Sequence, residues 1–360
     1  MSSIETRLNP PPGTGHTSVA HLTDFWYIAC TVDELQRGLL AREVLGTPLV
    51  LFRAGDGTLG AFLDRCPHRN VPLSVGEVVG NNLQCAYHGW EFSPDGACQN
   101  VPGLCGAFDH KGRRATAYPV TEQDGYIWVF LNPDVEPEAG PYQLPYANVP
   151  GYTTVRKVLD VDSSVHAAIE NALDVPHTAF LHKGLFRGSG EPNTIEVVVR
   201  RWADRAEAEF IGEPRPEGLA GRLLSPSGGI VTHFDRFIMP SIAQVEYRLG
   251  EENHIVVTSN WTPMRDFKTR MFAAISFRLR LPGWMVQPLV QPIVSRIFAQ
   301  DATILKLQTD AIHRFGGERF VSTEIDVLGP HIWRLMTQAE RGNLPGPDAE
   351  PFVKKVTLRV

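Results

Sequence analysis

No stretch of the sequence offers the roughly 18 consecutive apolar residues that a membrane-spanning helix needs. The nearest, Leu281 to Phe298, is interrupted by Pro282, Pro288 and Pro292 and by polar residues. Cysteine is scarce: there are five in 360 residues, an odd number. That argues against a disulfide framework and brings metal binding or catalysis forward. Positive charge is not in excess. With 34 basic and 40 acidic residues the chain carries −6, so an overall footprint for nucleic acid is missing. No G-x-G-x-x-G follows a strand and opens a helix, so no flavin or nicotinamide fingerprint is present. The N-terminal MSSIETRLNPPPGTGHTS lacks the apolar core of a signal peptide. Residues 1–19 are expected to form a flexible tail, and the protein is expected to be cytoplasmic.

What is present is an ordinary globular composition, 43% hydrophobic and 21% charged, with a length that fits about two domains. Short apolar runs punctuated by glycine, proline and aspartate fill residues 20–150. Examples are Thr47 to Phe52, Leu59 to Leu63, Leu83 to Tyr87 and Tyr126 to Leu131. They predict an all-β module. Five prolines between Asn132 and Gly151 predict a linker at its end. Residues 151–360 read as an α+β domain. Ser163 to His182 is helix-like. Strand patterns follow at Thr194 to Val199, Ile230 to Ile238, Ile242 to Leu249, His254 to Trp261 and Arg270 to Leu281, and helical periodicity returns over Ile293 to Phe315.

Two constellations carry chemistry. In the first, Cys66-Pro67-His68 and Cys85-Ala86-Tyr87-His88 each place one thiol and one imidazole in a short loop. Four such ligands could hold tetrahedral zinc. Zinc fingers, however, usually pair Cys with Cys and His with His. The interleaved order suits a [2Fe–2S] cluster whose two irons differ, one held by two thiolates and the other by two imidazoles. Cys30, Cys98 and Cys105 read as free thiols.

In the second, Glu170, Asn171, Asp174, His177 and His182 fall within thirteen residues. Asp174 and His177, three apart, can share a helix face. His177 and His182, five apart, would diverge by about 140° on a straight helix. Pro176 disturbs the helix, and a loosened turn could bring both rings to one point. A carboxylate would complete a facial triad for Fe(II). Asp301 is the candidate, because it interrupts an expected core-facing stripe of Ile293, Ile297, Ile304 and Gln308. Burying it unpaired would be costly without a cation.

The run CPHR…CAYHGWEF, with Pro102 placed as a covering residue, resembles the Rieske iron–sulfur family. The run E-N-x2-D-x2-H-x4-H and the later QDATILKLQ resemble the iron site of Rieske non-heme iron oxygenases. The resemblance covers roughly residues 20 to 315. It implies an N-terminal Rieske [2Fe–2S] domain followed by a helix-grip catalytic domain, an antiparallel sheet around a helix. Cys66, His68, Cys85 and His88 match the cluster ligands, and His177, His182 and Asp301 match the mononuclear iron ligands. Asp174 matches the carboxylate that bridges the two centres, contacting His88 of a neighbouring copy in a homotrimer. Whether Glu170 or Asn171 approaches the iron stays open.

The implied activity is that of a monooxygenase using O2 and electrons from a ferredoxin or flavin reductase. The basic run His110 to Arg114 is a candidate docking point for that donor. The substrate expected is a hydrophobic small molecule, steroid-like first and a methoxylated or carboxylated aromatic second. Hydroxylation, demethylation and desaturation are all open. Ile238, Met239, Ile242, Val256, Val257, Trp261, Phe272, Ile275 and Phe277 are the residues from which a pocket could be drawn. The competing reading is a Rieske electron carrier or redox sensor without oxygenase activity.

Overall fold

The computed structural model describes residues 20–36, 38–106, 111–182, 194–213, 231–250, 253–280, 282–346 and 349–359. The tail expected over residues 1–19 and His110 of the basic run lie outside these. The chain divides into two compact units, Thr23–Gln143 and Leu144–Val360. His21 belongs with the second, since its backbone N–H donates to the Glu340 carboxylate at 2.9 Å.

The first unit is β throughout, apart from single short helical turns. Its strands are β1 (Trp26–Thr31), β2 (Leu40–Val44), β3 (Thr47–Arg53), β4 (Leu59–Leu63), β5 (Glu77–Val79), β6 (Asn82–Gln84), β7 (Glu91–Phe92), β8 (Cys98–Asn100), β9 (Val120–Gln123) and β10 (Tyr126–Phe130). They form three antiparallel sheets, ordered β1-β10-β9, β2-β3-β4 and β5-β6-β7-β8. The continuous apolar run in β3 is explained by burial on both faces. Leu49 and Leu51 enter one core with Leu45, Ile127 and Val129, while Val50 and Phe52 enter another with Phe62, Leu73, Leu83 and Phe92. Each such side chain contributes about 1.5–3 kcal/mol by leaving water. Gly60 is required where it pairs with Phe52 across β3 and β4, because a Cβ there would run into the Phe52 ring. Cys66 and Cys85 belong to the second core.

The second unit is one antiparallel sheet of eight strands with helices. Its strands are β11 (Thr153–Val161), β12 (Thr194–Arg201), β13 (Arg205–Ile211), β14 (Val231–Ile238), β15 (Ile242–Leu249), β16 (Asn253–Arg265), β17 (Lys268–Arg278) and β18 (Phe352–Arg359). Their order is β11-β17-β16-β15-β14-β13-β12-β18. The helices used below are α1 (Val165–Ala172), α2 (Thr178–Leu181), α3 (Gly283–Phe315) and α4 (Gly329–Glu340). Helix α3 starts on the sheet face that carries Thr153, since a Cβ on Gly283 would overlap the Thr153 side chain. Among the described residues no helix is long and apolar enough to cross a membrane.

Three sequence expectations change here. Helix α3 begins ten residues earlier than the periodicity predicts and runs through Pro288 and Pro292. Each proline removes one N–H from the ladder, and both are exposed, so the freed carbonyls can meet water. The stripe drawn along α3 is also displaced. Ile293 and Ile304 are exposed, whereas Leu305, Thr309 and Ile312 are buried. Finally, the nine apolar residues considered for a pocket do not share a surface. Cross-strand partners point to the same face of a sheet, and successive residues alternate. The pairs Ile238↔Ile242, Ile242↔Asn260 and Asn260↔Phe272 put Ile238, Ile242, Val256 and Phe272 on one face. The pairs Thr153↔Phe277 and Val257↔Ile275 put Val257, Trp261, Ile275 and Phe277 on the face met by α3.

Candidate metal centres

The two Cys/His loops of the first unit close in the same way. The Asn70 N–H donates to the Cys66 carbonyl at 2.9 Å, and the Gly89 N–H donates to the Cys85 carbonyl at 3.0 Å. In both, the fourth residue after the cysteine is left-handed, Asn70 at φ 64° and Gly89 at φ 69°. Asparagine and glycine are the residues that tolerate this conformation. Pro102 packs over the second loop, and a Cβ on Gly89 would stand 3.0 Å from its Cγ.

The result is a set with two chemically different ends. Cys66 and Cys85 are 2% exposed, whereas His88 is exposed and His68 half-buried. The imidazoles of His68 and His88 have centroids 4.6 Å apart, and Trp90 stacks on His68 at 4.6 Å and 7°. Burial pushes the Cys66 thiol up to about 11, and Cys85 beside it adds to the shift. Thiolates there require positive charge nearby. The His68 Nδ1 is buried without a hydrogen-bond partner. Paired buried sulfurs at one end and two imidazoles at the other fit a [2Fe–2S] cluster with mixed ligands.

The second centre is built by a broken helix. Ser164 caps α1, its hydroxyl accepting from the Ala167 N–H at 3.3 Å. The helix ends at Ala172, and Pro176, which has no N–H to give, separates it from the single turn of α2. Asp174 and His177 therefore lie on the intervening turn and not on one helix face. Asp174 Oδ2 is 3.5 Å from His177 Nδ1.

The break also turns the two imidazoles toward each other, with 3.2 Å between their Nε2 atoms. Asp301 reaches in from α3, placing Oδ1 at 3.0 Å from His182 Nε2 and 3.7 Å from His177 Nε2. A metal–nitrogen bond of about 2.1 Å puts neighbouring ligand atoms about 3 Å apart, so this spacing fits three ligands on one face of a small cation. His182 is 2% exposed, and Asp301 Oδ1 is buried without a hydrogen-bond partner. Burial lowers the pKa of His177, but Asp174 and Asp301 on either side outweigh it and carry it up to about 9. Among the described residues, these three form the group of His, Cys, Asp and Glu side chains whose ligand atoms converge, all within 4.8 Å. Two neutral imidazoles and one carboxylate suit non-heme Fe(II).

Behind Asp174 lies a cavity of about 430 Å³ between α1, α3 and the segment leading to α4. Glu170, Asn171, Asp326 and Phe210 line it with Asp174. Burial pushes the Glu170 carboxyl up to about 7, with Asp326 and Asp174 adding to the shift.

Sequence reasoning missed two features. One is Gln300, whose Oε1 is 3.0 Å from His182 Nδ1. Its signal was adjacency to Asp301. The other is a fully buried His233 on the sheet face met by α3. Its Nδ1 is 2.7 Å from Glu213, its Nε2 is 3.0 Å from Asp235, and its ring is stacked between Phe210 and Tyr247. The alternation of β14 places His233 and Asp235 at buried positions. That phase was readable, but the partner Glu213 was not.

Two known families match the chain. The Rieske [2Fe–2S] domain matches residues 25–111, and the vanillate O-demethylase oxygenase C-terminal domain matches residues 161–342. Dicamba O-demethylase, oxygenase component, from Stenotrophomonas maltophilia is 37% identical over 161 residues, 44% of this chain and 47% of that protein. The match thus spans about half of that relative. The oxygenase component of chloroacetanilide N-alkylformylase from Rhizorhabdus wittichii is 32% identical over 234 residues, 58% of this chain and 67% of that protein. The crystal structure of dicamba monooxygenase bound to 3,6-dichlorosalicylic acid superposes with a TM-score of 0.74 at 25% identity. It covers 90% of this chain and 98% of that one.

Proposed function

Because the chain belongs to the Rieske non-heme iron oxygenases, we propose that it is the oxygenase component of a monooxygenase that demethylates a small aromatic ether. The observation that carries this reading is the convergence of His177 Nε2, His182 Nε2 and Asp301 Oδ1 in the second unit, in a chain whose first unit holds the Cys66, His68, Cys85, His88 set. A methyl ether is preferred over a steroid because the C-terminal family is that of vanillate O-demethylase and one relative is dicamba O-demethylase.

In this reading Cys66 and Cys85 hold one iron of the cluster and His68 and His88 the other, while His177, His182 and Asp301 hold the mononuclear iron. Bound iron supplies the activation of dioxygen, using electrons that the cluster passes on. The overall change balances as aryl methyl ether, O2, two electrons and two protons giving a phenol, formaldehyde and water. The chain's own residues do the rest. The turn at Pro176 holds both imidazoles edge to edge, and α3 delivers the carboxylate. Asp174 sits on the far nitrogen of His177, where it orients the ring and keeps it electron-rich.

The working form is a cytoplasmic homotrimer in which Asp174 meets His88 of a neighbouring copy. The cavity beside Asp174 supports this, because it leaves that carboxylate reachable. Electrons come from a separate ferredoxin or flavin reductase. The test is incubation of iron-replete protein with a ferredoxin–reductase pair, O2 and a panel of methoxylated benzoates. Formaldehyde and the matching phenol are expected in equal amounts. Reduction of the cluster with no product from any aryl ether, alongside turnover of a steroid, would overturn the substrate class.

A further inference from the structure

The His182 imidazole is clamped between consecutive residues of one helix. Gln300 Oε1 stands 3.0 Å from Nδ1, and Asp301 Oδ1 stands 3.0 Å from Nε2. The ring is almost completely buried at 2%, so its protons have little access to water. A neutral imidazole has one donor and one acceptor nitrogen. For Nε2 to offer a lone pair to a metal, Nδ1 must carry the proton, and a buried N–H needs an acceptor.

At His177 the nearest acceptor for this demand is a carboxylate, Asp174 Oδ2, which at 3.5 Å from Nδ1 makes no hydrogen bond. His182 meets it with an amide. The difference has a charge consequence. A second carboxylate beside His182 would add negative charge next to Asp301, whereas an amide oxygen accepts the Nδ1 proton without doing so. The neutral acceptor also makes the two imidazoles electronically unequal, since a carboxylate raises the basicity of its ring more than an amide does.

We propose that Gln300 is a positioning residue for the mononuclear iron. It accepts the Nδ1–H of His182, so that one turn of α3 supplies both a ligand, Asp301, and the orientation of a second ligand. This rests on the iron site put forward above. Gln300 does not touch the metal or the substrate in this arrangement and acts only through His182.

The experiment measures Fe(II) dissociation constants by competition with a ferrous chelator, for the full-length wild type, Gln300→Leu and Gln300→Glu. Gln300→Leu keeps the size of the side chain and removes the acceptor, and Gln300→Glu restores an acceptor. The expected result is a dissociation constant raised about 10–100-fold in Gln300→Leu and at or below wild type in Gln300→Glu. The visible spectrum of the [2Fe–2S] cluster should be unchanged in both. Equal affinity in wild type and Gln300→Leu overturns the proposal while leaving the iron site standing. No Fe(II) binding by wild type overturns both.

A second measurement does not depend on any variant folding. In wild-type protein loaded with zinc(II) and labelled with nitrogen-15, the His182 Nδ1–H should be protected from exchange with water. Fast exchange at that proton overturns the proposal.

Discussion

The carboxylate of Asp174 stands 3.5 Å from Nδ1 of His177, on the opposite side of the ring from the nitrogen that meets His182. One imidazole thus joins an acid that borders a cavity to the point where three ligand atoms converge. Replacing Asp174 with asparagine keeps the shape of the side chain and removes its charge. The expected outcome is turnover reduced by about 100-fold, with both metal sites still loaded. Iron and sulfide analysis together with single-turnover kinetics check this. An iron-replete Asn variant with full activity would remove the bridging role.

The two centres should be separable by metal analysis. Wild type is expected to hold two irons and two sulfides from the cluster plus one further iron. Cys85→Ser should lose the sulfide and the visible absorption. Asp301→Ala should keep both, lose only the third iron, and retain chemical reducibility of the cluster without product formation. A third iron that persisted in Asp301→Ala would place the mononuclear site elsewhere.

His233 carries the largest stability wager. It is fully buried between Glu213 and Asp235. Burial works against its charge, but the two acids outweigh it and raise its pKa to about 9. His233→Leu would leave the buried Asp235 and the half-buried Glu213 without their cation and should cost about 3–5 kcal/mol. Since the folded value lies above the unfolded one of about 6.5, the stabilisation is complete below pH 6.5. It declines as pH rises through 9. Urea denaturation of wild type and variant at pH 6 and pH 9.5 measures the difference, which should shrink at the higher pH.

Glu170 should behave in the opposite sense from an exposed acid. Burial, then Asp326 and Asp174, hold its carboxyl at about 7. Below about pH 4.5 the group is protonated in both the folded and the unfolded chain, so it exacts nothing. Between 4.5 and 7 the unfolded chain releases a proton that the folded chain keeps, and stability falls as pH rises. Glu170→Gln is therefore expected to melt higher than wild type at pH 8 and equally at about pH 4.5. A related substitution probes the packing. Gly329→Ala would set a Cβ against the end of the Glu170 side chain, so the carboxylate must swing aside, and any fall in melting temperature should vanish when Glu170 is shortened to Ala.

The strand patterns most easily read were those with unbroken β-branched and aromatic alternation, such as Ile242–Leu249, where the predicted and observed limits coincide. Strand β13, RAEAEFI, went unread because glutamate and alanine are poor strand formers. It is held by pairing with β12 and β14 on either side. Strand β18 has the same explanation from the other direction. It is mostly exposed and reads as polar, and only its pairing with β12 makes it a strand.

By itself the sequence determined the chemistry available: which side chains can bind metal, in which short loops, and that a proline interrupts the helix between Asp174 and His182. Those are local facts, because a turn of five residues is governed by its own backbone and its own side chains. Only the tertiary structure decided which distant groups join them. Asp301 and Gln300 come from a helix more than 100 residues later, and Glu213, just past β13, closes on His233 of β14. Such contacts depend on how the sheet and α3 pack together, and packing is a sum over many weak burials that no single motif records. The same sum settled which face of the sheet each apolar side chain occupies, through a register that only the paired strands define.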